Sequence, residues 1–324
     1  MKVSIIIPNY NGFKFLDTCF ASVFKQSFTD FQVILVDNGS TDNSIDFTRD
    51  NYGEVKIIAL SENYGFSRAI NEGIKDSLGE YVVLLNNDTE AEVDWLSVLV
   101  NEMEAEVKLF SCSSKMVRFY ERDIIDDAGD SLDLFGWAYK RGDGFPVTTY
   151  TKDSYVFTSC AGAAIYRRSV LEEIGYLDEA FFAYLEDVDL GYRAKINGYK
   201  NKYCSKAIIY HVASGTTWNK YNPFKAKLIF RNSIYLVYKN MPFIQLLINL
   251  PIILLGIIIK TIFYSRKKFT KIYLDGIFEG LKSLNKIKRT KFKFKNLVNY
   301  ICIEVDLILA TFKYIIMKLL HVSL

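Results

Sequence analysis

The stretch Tyr81-Val82-Val83-Leu84-Leu85-Asn86-Asn87-Asp88 carries five apolar residues without alternation and then three polar ones. A strand with one wet face alternates apolar and polar side chains, so an unbroken run of this length reads as a strand buried on both faces of a helix-covered parallel sheet. The polar residues fall where such sheets bind ligands, at the carboxyl ends of the strands. Similar runs occur at 3–8, 31–37, 55–59 and 109–113, and helical spacing fills 13–28, 42–51, 66–77 and 94–104 between them, with Thr41 and Asp94 as expected N-caps. The order β-α-β-α-β-α-β-α-β predicts an α/β fold with a Rossmann-like, mostly parallel central sheet and helices on both faces.

Beyond this frame the pattern loosens. Residues 115–165 are rich in Asp, Gly and aromatics and read as loops and short strands laid over the sheet, followed by helical spacing at 168–174 and 186–197 and a strand-like run at 207–212. The 324 residues suit one large α/β domain plus an appendage. Half are hydrophobic, with 24 Phe, 22 Tyr and only 5 Pro, which indicates an ordered chain with little linker. The five cysteines show no CxxC spacing, so neither a disulfide framework nor a zinc site is expected. The first apolar run, 3–8, is too short for a signal-peptide core, which places the sheet domain in the cytoplasm.

The net charge of +3 hides an asymmetry, because residues 1–240 hold 26 Lys and Arg against 33 Asp and Glu while residues 241–324 hold 14 against 4. Residues 241–264 are almost uncharged and long enough to cross a bilayer, although Pro242, Gln245, Asn249, Pro251 and Gly256 interrupt them. A basic stretch, 260–295, and a second apolar segment, 297–320, follow. This alternation suits a helical, membrane-associating tail in or on an anionic leaflet. A helical bundle packed on the catalytic domain or on a partner fits it too. The expected division is therefore 1–240, with halves 1–115 and 116–240, and a tail at 241–324.

Polar clusters stand at the expected strand ends. Pro8-Asn9-Tyr10-Asn11-Gly12 follows the first strand, and Asp37-Asn38-Gly39-Ser40-Thr41-Asp42 ends the second, where Asp37 could accept from a base or ribose or simply close a tight turn. After the third, Asn63, Gly65 and Arg68 could bring backbone and charge to a phosphate. Asp88 offers one hard oxygen ligand for Mg2+ or Mn2+, or a polar cap on the strand. Three acids stand in four positions at Glu186-Asp187-Val188-Asp189. The helix macrodipole explains one or two of them, and a carboxylate on a cleft wall can act as a general base. His211 precedes a small hydroxyl-rich loop, 213–217, suited to phosphate oxygens. Neither a P-loop nor GxGxxG is present, which argues against ATPase and dinucleotide-dehydrogenase chemistry.

In this order the pieces resemble family 2 inverting glycosyltransferases of the GT-A fold, most closely a rhamnosyltransferase-like branch, over residues 2–239. The resemblance implies that Pro8, Tyr10 and Asp37 contact the base and ribose of a nucleotide-sugar, with Asn63, Gly65 and Arg68 closing beside them. Asn86-Asn87-Asp88 stands in the place of the family's Asp-x-Asp motif. It implies Asp88 and His211 as ligands of Mg2+ or Mn2+, Asp187 as catalytic base, and Glu186 as the residue holding the acceptor or orienting the base. Asn86 departs from the motif's first aspartate. The implied donors are dTDP-rhamnose or a UDP-sugar, and the implied acceptor is a glycan or a polyprenyl-diphosphate-linked sugar at the cytoplasmic face of the membrane. No nucleic-acid partner is expected. Arg231-Asn232 and residues 238–242 read as the connector into the tail. The rivals are a sugar nucleotidyltransferase, which would want a basic loop after the first strand, and a non-catalytic scaffold of a polysaccharide assembly complex.

Overall fold

The computed structural model describes residues 1–212 and 222–320. The four strands expected at the N-terminus form: β1 (Val3–Asn9), β2 (Phe31–Asp37), β3 (Lys56–Ala59) and β4 (Tyr81–Leu85), linked by α1 (Phe13–Phe24), α2 (Ser44–Asn51) and α3 (Phe66–Lys75). β5 (Thr89–Ala91), α4 (Trp95–Ala105) and β6 (Leu109–Arg118) follow. Pairing is parallel from β3 through β2 and β1 to β4. The uninterrupted apolar runs are explained by burial on both faces. Ile5, Ile7, Val33, Leu35, Val83 and Leu85 pack under α1 and α4 on one side. Ile6, Ile34, Val36, Val82 and Leu84 pack under α3 on the other.

The strand β1 runs through Pro8 to Asn9, one residue past the expected run. Its pairing with β4 ends at Ile6, before the proline, while β2 accompanies it to Asn9. The N-caps also differ. Asp42, one residue past Thr41, accepts from the Ser44 N–H at 3.1 Å and from the Phe13 N–H at 3.0 Å, holding the starts of α2 and α1 together. Asp94 precedes α4, but its carboxylate accepts from the Ser27 hydroxyl.

The irregular stretch contributes more to the sheet than its sequence suggests. It contains β7 (Ile125–Asp127), β8 (Asp130–Leu132), β9 (Ala138–Lys140), β10 (Ser154–Val156) and β11 (Ala163–Arg167). β11 inserts between β4 and β6, antiparallel to both. After α5 (Arg168–Ile174) and α6 (Glu186–Ile196), the twelve-residue β12 (Lys200–His211) runs parallel to β6. The sheet order is β10-β12-β6-β11-β4-β1-β2-β3. The fold is thus the expected mostly parallel sheet, mixed at its centre by one reversed strand.

The C-terminal segments are α7 (Pro223–Asn240), α8 (Phe243–Arg266), α9 (Thr270–Lys282) and α10 (Leu297–Leu320). They share a core with the sheet domain, since Ile253, Tyr300, Ile303 and Leu307 pack with Leu132, Phe181, Val188, Tyr192 and Leu236. Among the described residues α8 is the one helix long and apolar enough to cross a membrane. Its polarity is inverted. Gln245 and Asn249 point inward to Glu304 of α10, at 2.6 and 3.0 Å. Ile244 and Ile248 face outward, 72% and 68% exposed. Gly256 lies so close to Phe135 that an added Cβ would meet that side chain at 2.8 Å.

Candidate active site

The ends of β1, β2 and β4 are joined by amides. Asn9 donates to Asp37 at 2.8 Å and accepts from Asn87 at 2.7 Å, while the Ser40 N–H donates to the other Asp37 oxygen at 2.9 Å. Asp37 is therefore buried and braced, and Asn9, quoted in the first loop without a role, is the bridge. Gly12 closes over this network, for a Cβ there would stand 2.0 Å from the Asn87 amide nitrogen. Tyr10 is exposed at the rim and Pro8 is half-buried beneath it.

The third loop is shaped by amides as well. Asn38 donates to Asn63 at 3.0 Å and to the Gly65 carbonyl at 3.1 Å, and Asn63 accepts from the Gly65 N–H. Gly65 has φ +89°, and its α-carbon faces the Phe182 ring so closely that a Cβ would meet it at 2.6 Å. Arg68 joins none of these bonds; its guanidinium stacks over Tyr64 at 4.0 Å.

At the end of β4 the Asn86 N–H donates to the Gly162 carbonyl at 2.8 Å, tying the strand end to the approach of β11. Asp88 and His211 meet, with His211 Nε2 3.3 Å from Asp88 Oδ1. Antiparallel pairing of β5 with β12, His211 opposite Thr89, sets that register. On its far side, His211 Nδ1 lies 2.9 Å from Asp126 Oδ2, which also accepts from Lys140 at 3.0 Å. Burial works against a charged imidazole, but hydrogen bonds to Asp126 and Asp88 raise His211 to about 9. Burial likewise opposes the Asp126 charge, yet Lys140 and His211 hold it well below the usual carboxylate range. A carboxylate that fixes one ring nitrogen leaves the other aimed at a metal position shared with Asp88, so these residues fit a divalent cation. Asp126 and Lys140 were not among the residues expected from sequence. Their signal was only the density of Asp in an irregular segment.

A second acidic group flanks the first. Asp127, Asp130 and Cys160 bring their ligating atoms within 4.8 Å of one another. Burial, then neighbouring carboxylates, raise Asp130 well above the usual range, and burial raises Asp127 to about 7. Both feel the charge of Asp187, which opens α6. Asp187 is the half-exposed member, its two oxygens accepting from the Ala161 N–H at 3.0 Å and the Val188 N–H at 2.8 Å. Burial also raises Asp187, the direction a general base needs. Glu186 is buried, raised by burial and then by Asp187, and one of its oxygens has no hydrogen-bond partner among the described residues.

Three residues of unusual backbone among four positions lead into Asp187. Phe182, Tyr184 and Leu185 have φ of 63°, 71° and 67°, a left-handed conformation costly for side chains of this size. Asn232 on α7 offsets that strain by donating to the carbonyls of Phe181, Ala183 and Tyr184 at 2.7–2.9 Å, and Arg231 adds a bond to Phe181. The pair expected to be a connector clamps the loop that precedes Asp187. Lys225 on α7 reaches the same place, 5.1 Å from the Tyr184 ring, and burial, followed by the charge of Lys140, lowers it. Asp189, the third acid of the run, turns away into the core. It bonds Arg193 and Lys239, each at 2.9 Å, and Asn240 at 2.8 Å. The hydroxyl-rich loop 213–217 lies outside the described residues.

Comparison with known proteins bears on the family and the fold. The family model for Glycosyl transferase family 2 matches residues 4–175. The chain belongs to that family. An uncharacterised glycosyltransferase of Nostoc sp. is 31% identical over 55% of this chain and 54% of its own length. The chain thus spans about half of that relative, and about a third of an uncharacterised Escherichia coli glycosyltransferase to which it is 32% identical. Among solved structures, GalNAc-T7 with UDP, GalNAc and Mn2+ superposes with TM-score 0.60 at 18% identity, covering 73% of this chain and 47% of that one. The mannosyltransferase PcManGT from Pyrobaculum calidifontis, with GDP-Man and Mn2+, gives 0.56 at 14% identity over 86% and 87%. At such identities the likeness is one of fold, and the fold is GT-A.

Proposed function

We propose that this family 2 glycosyltransferase is an inverting, metal-dependent enzyme that moves a sugar from a nucleoside diphosphate to a hydroxyl of a glycan or lipid-linked acceptor. The observation that carries the reading is the meeting of Asp88 and His211 at 3.3 Å, joined through Asp126 to Lys140, whose charge reaches the raised carboxylate of Asp187. Asp88 and His211 would hold Mg2+ or Mn2+, which when bound neutralises the charge that develops on the leaving diphosphate. Asp187 accepts the proton of the acceptor hydroxyl as its oxygen bonds the anomeric carbon. The bond from that carbon to the diphosphate oxygen breaks on the opposite face, so configuration inverts. Lys140 and Asp126 hold the His211 ring, and Asn232 holds the loop that carries Asp187.

The bases bound by the two structural neighbours are different, so the fold leaves the nucleotide open. The rhamnosyltransferase-like motif order makes dTDP-rhamnose the first donor to try, with UDP-sugars next. The inverted polarity of α8 and the basic 260–295 stretch support attachment at the cytoplasmic face of a membrane, in the service of cell-surface polysaccharide synthesis.

The test is a panel of nucleotide-sugars added to the full chain with and without Mn2+. One donor should raise the melting temperature only with metal, and that donor should be turned over to product of inverted configuration. Retention of configuration would overturn the mechanism, and turnover undiminished by chelator would overturn the metal. Removing the tail is a poor test of membrane attachment, because α8 and α10 complete the core. Replacing the exposed Ile244 and Ile248 by Glu should instead release the chain from vesicles.

A further inference from the structure

The first turn of α7 stands where two loops of the reaction centre meet. Phe224 packs edge-on to Phe182, ring centroids 6.2 Å apart. The Phe182 carbonyl accepts from the Ser67 N–H at 3.2 Å and its ring lies against Gly65, so Phe182 ties the loop after β3 to the strained loop that leads into Asp187. The next residue of α7, Lys225, holds its ammonium 5.1 Å from the ring of Tyr184, in that same strained loop. Asn222 fixes the turn by accepting from the Phe224 and Lys225 N–H groups at 2.9 and 3.2 Å. Lys225 thus stands at the junction of the loop that carries Gly65 and the loop that precedes Asp187.

Among the described residues no carboxylate lies within ion-pair distance of Lys225, whereas Lys227 pairs with Glu279 at 2.7 Å and Arg231 reaches the same acid at 3.4 Å. Two other cations of the centre are already engaged, Lys140 by Asp126 and His211 by Asp126 and Asp88. Burial and then the charge of Lys140 lower Lys225, while Asp126 and Asp88 act to raise it, so its ammonium shares their field. A half-buried cation in this position is stabilised by an anion brought in from outside. The phosphates of a nucleotide suit it, because lysine binds phosphate as a point charge on a flexible stem.

We propose that Lys225 is a catalytic residue that contacts the diphosphate of the sugar donor. As the bond from the anomeric carbon to the diphosphate oxygen breaks, the electron pair stays on that oxygen. The Lys225 ammonium donates a hydrogen bond to the phosphates on which the charge collects, and keeps its own proton. The proposal rests on the transferase reading above and adds to it a residue that the sequence did not single out. One helix then serves both ends of the reaction, since α7 holds the loop before Asp187 through Asn232 and brings Lys225 to the leaving group.

The test is calorimetric titration of the full chain, with Mn2+ present, by UDP, dTDP and GDP and by the corresponding nucleosides. For the base that binds, K225Q should weaken the diphosphate by about tenfold or more and leave affinity for the nucleoside unchanged. K225R should recover most of the loss. With the matching nucleotide-sugar at saturation, kcat of K225Q should fall by about tenfold or more. K225M keeps the aliphatic stem on Tyr184 and takes the place of K225Q if that variant fails to fold. Unchanged diphosphate affinity in a folded variant would overturn the proposal, as would an equal loss for nucleoside and diphosphate, which would make Lys225 a support of the turn. Either result leaves the donor reading intact, because the unaltered chain still binds the diphosphate. Failure of the unaltered chain to bind any of the three diphosphates would defeat the donor reading itself, and the proposal with it.

Discussion

Asp187 and Asp189 stand two residues apart at the start of one helix and lead opposite lives. Asp187 opens on a cleft among the acids Asp127, Asp130 and Glu186, and burial raises its pKa. Asp189 is fully buried, and although burial opposes its charge, Lys239 and Arg193 lower it to about 2. What separates the two is how fully cations offset the cost of burying the charge. Burial raises Asp187 against the hydrogen bonds from Ala161 and Val188 and the charge of Lys140, while Asp189, gripped by two cations, stays charged and ties α6 to α7.

The sharpest way to break this contrast is Asp187→Asn. Loss of a general base should lower turnover by about 10²–10⁴-fold with the donor-induced melting shift retained. A variant that loses donor affinity and fold together would assign Asp187 to the architecture instead.

Asp189→Asn should do the reverse. Leaving Lys239 and Arg193 buried without their partner should cost about 3–5 kcal/mol of stability, read by denaturant unfolding. The two groups should also tilt the pH dependence in opposite directions. Asp189 has a folded value below the unfolded ~3.9, so its contribution is complete above about pH 4 and drains away as pH falls toward 2. Asp127, raised to about 7, binds its proton more tightly in the folded state. Stability should therefore fall as pH rises between about 4 and 7, and Asp127→Asn should flatten that limb.

Smaller effects should follow from residues that act through others. Asp126→Asn should weaken Mn2+ affinity by roughly 10–100-fold without changing affinity for nucleotide alone; an equal loss of both would mean that Asp126 only supports the fold. Asn232→Ala removes the donor that holds three carbonyls of the strained loop. It should cost about 1–3 kcal/mol and lower kcat more than it changes KM, whereas a purely structural residue would leave kcat of the folded fraction untouched.

How far these residues could be seen in advance follows the same division. Asp37, Asn86-Asn87-Asp88 and His211 stood out because each ends an apolar run at a predictable place, and Asp187 because three acids fall in four positions. Asp126, Asp127, Lys140 and Lys225 did not, since each is an ordinary polar residue in an irregular stretch or on a helix, and Asn232 was read only as part of a connector. The run Glu186-Asp187-Val188-Asp189 was noticed as a unit, and only the packing of α7 showed that it serves two masters.

The sequence by itself determined the parallel half of the sheet, the helices that cover it and the polar strand ends, because burial on both faces leaves a local, unbroken apolar signature. The basic, apolar tail was equally plain. Tertiary structure decided the reversed β11 at the sheet's centre, the Asp88–His211–Asp126–Lys140 chain of contacts and the clamp on the loop before Asp187. Those features are made by residues far apart in the chain, and their chemistry depends on which charges meet when the core closes, a quantity that no local pattern records.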